Sequence, residues 1–83
     1  PPIERVISMI SISEQLGVRI RYFRREKKLS QEELAFRANL NVTYLSDLEN
    51  GRRNPSLKIL NRLANAFNLT LSELFKGIID INR

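Results

Sequence analysis

The chain has 83 residues and a net charge of +5, enough for one small basic domain and no more. It contains neither Cys nor His, so disulfides, thiolate metal sites, the commonest general base and the commonest metal ligand are all missing. No cofactor, no metal and no enzymatic role is expected. Apolar residues at 42% and charged residues at 28% give a globular mix, and the excess of Lys and Arg suits a polyanionic partner such as DNA, RNA or an acidic lipid face.

No apolar run approaches the ~20 residues that cross a bilayer. The first residues lack the basic-then-apolar order of a signal peptide, so a cytoplasmic location is expected. The chain opens Pro1-Pro2 rather than with Met, and a start further upstream is expected.

Ile3–Ser13 reads two ways. Ile3, Val6, Ile7 and Ile10 have helical spacing, whereas Ile10-Ser11-Ile12-Ser13 alternates like a strand. The segment is treated as an N-terminal extension, residues 1–13, helical on balance and available to dock on the body or on a partner. A helix is predicted from Glu14 to Lys27, with Leu16, Ile20 and Phe23 on one face and Gly17 weakening its first turn. Ser30-Gln31-Glu32-Glu33 is a capping box that opens a short helix to Ala38. Asn39-Leu40-Asn41 is a turn. Asn41 can cap a helix from Val42 to Asn50, and Gly51 closes it. After the loop Arg52–Pro55, Ser56 caps a fourth helix to Phe67, striped by Leu57, Leu60, Leu63, Ala64 and Phe67. Asn68 suits a left-handed end, and Thr70-Leu71-Ser72-Glu73 is a second capping box, opening a last helix to Lys76 that Gly77 stops. The domain is therefore set at residues 14–77, with 78–83 as an apolar tail. The fold class is all-α, a compact five-helix domain.

Two short helices joined by a three-residue turn can form a helix-turn-helix, whose helices cross at roughly 90–120°. The crossing needs a small residue at the contact, supplied by Ala35, and a residue tolerant of positive φ in the turn, supplied by Asn39. Leu34, Ala38, Leu40, Leu45 and Leu48 pin both helices to the body. The same apolar residues would serve a plain helical hairpin. What favours a DNA reader is the outer face of Val42–Asn50, which carries Val42, Thr43, Tyr44, Ser46, Asp47 and Asn50 in place of Lys, Glu and Gln.

Gln31–Ala35, Thr43–Gly51 and Arg53–Leu57 together resemble the Xre family, which includes the lambda-type phage repressors and Cro proteins. The resemblance covers about Leu16 to Phe75. Thr43-Tyr44-Leu45-Ser46 and Arg53-Asn54-Pro55-Ser56-Leu57 are most similar to the controller proteins of restriction-modification systems. Lys28 and Asn39 stand where the family usually has Gly.

The resemblance implies a lambda-repressor-like domain that regulates transcription by binding double-stranded DNA. Val42–Asn50 would be the recognition helix in the major groove, with Gln31–Ala38 crossing the backbone above it. Thr43 can bond a base edge or touch a thymine methyl, Val42 offers an apolar contact, and Asp47 can accept from cytosine N4 or orient a neighbouring Arg. Ser46 and Tyr44 complete the base-reading set, with Tyr44 able to hold a phosphate through its hydroxyl or lie against the sugar edge; the lesser alternative is a packed surface aromatic. Phosphate contacts fall to Gln31, the family's usual phosphate ligand, and to Asn50, Arg52, Arg53 and Asn54. From Arg52 through Arg62 four basic residues occur with no acidic one, an unopposed positive edge. Arg19, Arg21, Arg24, Arg25, Lys27 and Lys28 form a second basic cluster, read mainly as a solvated face. The family pairs an Arg with a Glu at Arg24 and Glu49, a structural ion pair.

A single short helix reads few base pairs, so a homodimer on a palindromic operator is expected, with half-sites about 34 Å apart. Leu69, Leu71, Leu74, Phe75, Ile78, Ile79 and Ile81 exceed what a terminal helix needs for its own core, and the surplus is assigned to the dimer contact. The tail could instead fold back on its own domain. The rival reading is an antitoxin-like module of the same fold that binds a protein partner as well as DNA.

Overall fold

Among the described residues, five helix starts are set by five capping side chains. The computed structural model describes residues 10–79, and Ile3, Val6, Ile7 and Ile81 of the sequence reading lie outside them. Within it, α1 spans Ile12–Glu26, α2 Gln31–Ala38, α3 Val42–Glu49, α4 Leu57–Ala66 and α5 Leu71–Phe75, with no strand among the described residues. Ser11, Ser30, Asn41, Ser56 and Thr70 each accept a hydrogen bond from an otherwise orphaned backbone N–H in the first turn. At α1, α2 and α5 the returning Glu14, Glu33 and Glu73 complete capping boxes.

The start of α1 differs from the sequence expectation. Ser11 and Glu14 form a capping box that begins the helix at Ile12, two residues ahead of Glu14. The alternation of Ile10–Ser13 is therefore a cap and a first helical turn, not a strand. The other helix ends fall within about one residue of those predicted.

The ends of α1 to α4 share one device. Lys28, Asn39, Gly51 and Asn68 follow the helices with φ of 57°, 55°, 73° and 60°. In each case the next N–H reaches back five residues: Leu29 to Arg24 O, Leu40 to Ala35 O, Arg52 to Asp47 O and Leu69 to Ala64 O. These are Schellman ends, which usually bury an apolar residue after the left-handed one. Leu29 is buried, and Leu40 and Leu69 pack against the core. The exception is Arg52, exposed at the end of α3.

The core gathers Leu16 and Ile20 of α1, Leu29 of the turn before α2, Leu34, Ala35 and Ala38 of α2, Leu45 and Leu48 of α3, Leu63, Ala64 and Phe67 around α4, and Leu74 of α5. Each fully buried Leu contributes about 1.5–3 kcal/mol relative to exposure. α1 packs on α3 and α5, α2 on α3 and α4, and α5 on α4. Gly17 makes the first of these packings close. A Cβ there would stand 2.5 Å from Glu49 O and 2.6 Å from Leu48 O, so only glycine allows α1 to lie against the last turn of α3. Its value lies in this approach rather than in the weakened first turn read from the sequence.

The sequence assigns Leu74 to a dimer contact, and its position in the structure corrects this. It is 0% exposed within its own domain, because α5 is too short to bury its apolar face except against α1 and α4. Leu69, Leu71, Phe75 and Ile78 are partly buried against the core, while Ile79 is exposed. Gln15 ties the tail down, donating from Nε2 to Ile79 O at 2.7 Å and accepting from Ile79 N at 3.0 Å.

Candidate nucleic-acid interface

The site is built from the position of α3, and Glu49 fixes that position. Glu49 is 3% exposed, and its side chain is fully buried against charged partners. Arg24 Nε donates to Oε2 at 2.6 Å and Nη2 to Oε1 at 3.0 Å, while Gln31 Nε2 donates to Oε1 at 3.1 Å. Arg24 also donates to Leu29 O at 3.0 Å, so one guanidinium links α1, the turn before α2 and the end of α3. Burial pushes the Glu49 carboxyl up. The bonds from Arg24 and Gln31 and the charges of Arg24 and Arg21 outweigh it and hold the group below the usual carboxylate range. Gln31, expected on a phosphate, thus spends one amide donor inside the protein.

With its buried side held, α3 turns Thr43, Asp47 and Asn50 outward along one stripe. Thr43 and Val42 are exposed at the helix start, and Ser46, Asp47 and Tyr44 are half-exposed. Asn41 caps this start through Thr43 N at 2.8 Å and Tyr44 N at 3.3 Å. At the other end Asn50 Nδ2 donates to Ser46 O at 2.8 Å, and Asn50 Oδ1 accepts from Arg21 at 3.3 Å. Asn50 and Arg21 therefore present one connected polar edge beside the exposed face of α3.

The loop after α3 returns along the helix because Arg52 N–H is bonded to Asp47 O at 2.9 Å. Arg53 then meets Asp47: Nε and Nη2 each lie 3.2 Å from Oδ2. Arg52 stands 3.9 Å from Oδ1. The Arg53 guanidinium also lies over the Tyr44 ring, 5.2 Å from its centroid. The edge read as unopposed is thus opposed by Asp47, which lies outside the Arg52–Arg62 stretch in sequence but one helical turn from it in space. Of the two roles open to Asp47, the geometry supplies the Arg-orienting one. Tyr44 both packs against the core and carries Arg53. Asn54 is exposed at the end of the loop.

The second basic cluster divides. Arg19 is not a solvated residue: Nε donates to Leu74 O at 3.1 Å and Nη2 to Glu73 O at 2.6 Å, with its guanidinium 4.6 Å from the Phe23 ring centroid. It bonds carbonyls at the end of α5, sharing Glu73 O with the Lys76 N–H. Arg21 and Arg24 serve α3, while Arg25, Lys27 and Lys28 are exposed. Gly17, Gln15 and Arg19 are the positioning residues that sequence reasoning missed. None carries a local signal, since their partners lie far along the chain.

Short capped helices α2 and α3, joined by a left-handed Asn39, with a polar outer face on α3, define a helix-turn-helix DNA-binding domain. The helix-turn-helix family HTH_3 matches residues 20–74. The HTH-type transcriptional regulator DdrOP3 of Deinococcus deserti is 43% identical over 64 residues, covering 77% of this chain and 50% of that protein. The control protein C.MunI of a Mycoplasma species is 42% identical over 71 residues, covering 84% of this chain and 96% of that protein. The crystal structure of the restriction-modification controller protein C.AhdI from Aeromonas hydrophila superposes with a TM-score of 0.74 at 41% identity, covering 76% of this chain and 96% of that one. The chain spans about half the length of DdrOP3 and nearly all of the two control proteins. The chain belongs to the helix-turn-helix family of DNA-binding transcriptional regulators. No helix among the described residues is long and apolar enough to cross a membrane.

Proposed function

We propose that the chain binds a palindromic operator as a homodimer, with α3 of each copy in the major groove, and acts in the cytoplasm as a restriction-modification controller or a closely similar regulator. The observation that carries this reading is the contrast between the two faces of α3. One is locked by Arg24, Gln31 and Gly17 against Glu49 and Leu48, and the other offers Val42, Thr43, Tyr44, Ser46 and Asp47 to a groove. Relatives matched over nearly their whole length carry control-protein names, which favours that regulatory setting. Gln31, Asn50, Arg52 and Asn54 border the reading face and serve as phosphate contacts that set register.

The dimer reading rests on apolar surface near the termini. A groove of about 330 Å³ is lined by Ile12, Leu16, Pro55, Leu60, Phe75 and Ile78. Ile12, which lines it, is 52% exposed, and the exposed Ile79 follows Ile78. A second copy covering this face would bury surface that water otherwise meets.

Selection of binding sites from randomised duplex DNA tests the reading. Inverted half-sites one helical turn apart, bound by two chains, are expected. Recovery of no motif would refute sequence reading, and single unpaired half-sites bound by one chain would refute the dimer.

A further inference from the structure

We propose that Arg53 is a guanine-reading residue, and that Asp47 and Tyr44 are the residues that position it. The proposal deepens the major-groove reading above and rests on it. It reassigns Arg53, which its place in a basic loop had marked as a phosphate contact.

Three observations carry it. First, Asp47 Oδ2 bridges Nε and Nη2, one edge of the guanidinium, at 3.2 Å from each. The other edge, formed by Nη1 and Nη2, keeps its donors. That end-on fork matches the paired acceptors O6 and N7 of guanine. Second, the Arg53 guanidinium lies over the Tyr44 ring, 5.2 Å from its centroid, a second contact that limits how far the fork can swing. Tyr44 and Asp47 are one turn apart on α3, so they aim Arg53 from within the reading face rather than from its rim.

Third, the pairing is wrong for a phosphate clamp. A phosphate approaching Arg53 would also approach the Asp47 carboxylate, and the two anions repel. An Arg meant for sequence-independent attraction does better unpaired. Guanine offers neutral acceptors and meets no such repulsion. Asp47 therefore lowers general attraction to the backbone while keeping a rigid, directional donor pair, a combination that favours discrimination over adhesion.

The test uses a duplex carrying the selected site and a panel of its single-base-pair substitutions, bound by the unmodified chain and by Arg53→Lys, Asp47→Asn and the double variant. The unmodified chain is expected to prefer guanine at one base pair of each half-site by roughly 5- to 150-fold. Arg53→Lys and Asp47→Asn should each flatten that preference at the same pair and leave the others intact. The double variant should be no flatter than either single one. Unchanged thermal unfolding of Asp47→Asn separates positioning from a fold defect. Uniform weakening on every duplex by Arg53→Lys, with the salt slope reduced by about one unit, would make Arg53 a phosphate contact and overturn the proposal. Flattening by Asp47→Asn at a different, cytosine-bearing pair would make Asp47 the reader and overturn it too. A chain with no preference at any pair would remove the major-groove reading itself.

Discussion

Arg24 and Glu49, 25 residues apart in sequence, meet in a two-point ion pair that fixes the end of α3 to α1. A buried pair of this kind has a desolvation cost that its attraction only partly offsets, so its value here is orientation. Removing one partner is costly because the other charge stays buried. Glu49→Gln is expected to destabilise the domain by about 3 kcal/mol at neutral pH. Glu49's folded pKa lies below its unfolded value of about 4.3, so its contribution is full above that value and lost as pH falls through the folded one. Glu33 and Glu73 are lowered in the same direction by their bonds from the capping residues Ser30 and Thr70. Acid unfolding should therefore remain in Glu49→Gln with a shallower pH dependence. Thermal melts across roughly pH 3 to 6 check this, and equal slopes for both proteins would contradict it.

Gly17→Ala would stabilise an ordinary helix by up to about 1 kcal/mol. Here the added methyl meets two backbone carbonyls that cannot swing aside. The expected result is a net loss of about 2–3 kcal/mol, with weaker DNA binding because the last turn of α3 must move. A melt unchanged or raised would mean that α1 and α3 are not in close backbone contact.

Lys28→Gly is expected to stabilise the domain. Lys28 is exposed with φ of 57°, a conformation that costs an L-residue roughly 1–2 kcal/mol and glycine nothing steric. Allowing for the greater freedom of unfolded glycine, a gain of about 0.5–1 kcal/mol should appear as a rise in Tm of several degrees. Asn39→Gly should gain less, since Asn tolerates the left-handed region.

Arg19→Ala removes two charged hydrogen bonds to the end of α5 and the stacking on Phe23. A loss of about 2 kcal/mol is expected, and hydrogen exchange should rise in α5 before the rest of the domain. Uniform exchange would show that α5 does not depend on Arg19.

The contrast between Ser30 and Gly17 shows what was legible in the sequence. Ser30 and its partner Glu33 are three residues apart, so the capping box is visible as a word, as are Asn41, Ser56, Thr70 and the left-handed Asn39 and Asn68. Even the Ser11–Glu14 box was there to be read, hidden by the alternation of Ile10–Ser13. Gly17, Arg19 and Gln15 act across the chain, and nothing near them announces their partners. Leu74 misleads because the apolar residues of a short last helix look like surplus until α1 and α4 are seen to enclose them. The polar outer face of α3 is legible as a set of residue types, but the pairing of Asp47 with Arg53 depends on how the loop returns.

The central claim is that the exposed face of α3 reads base pairs, and Thr43→Ala tests it most directly. Thr43 is exposed at the helix start and absent from the core, so its loss should leave folding intact. At one fixed salt concentration, the affinity for the selected duplex should fall while that for unrelated duplex stays the same. The specificity ratio should drop by roughly 5-fold or more. An equal fall on both duplexes, or no fall on either, would contradict base reading by this face.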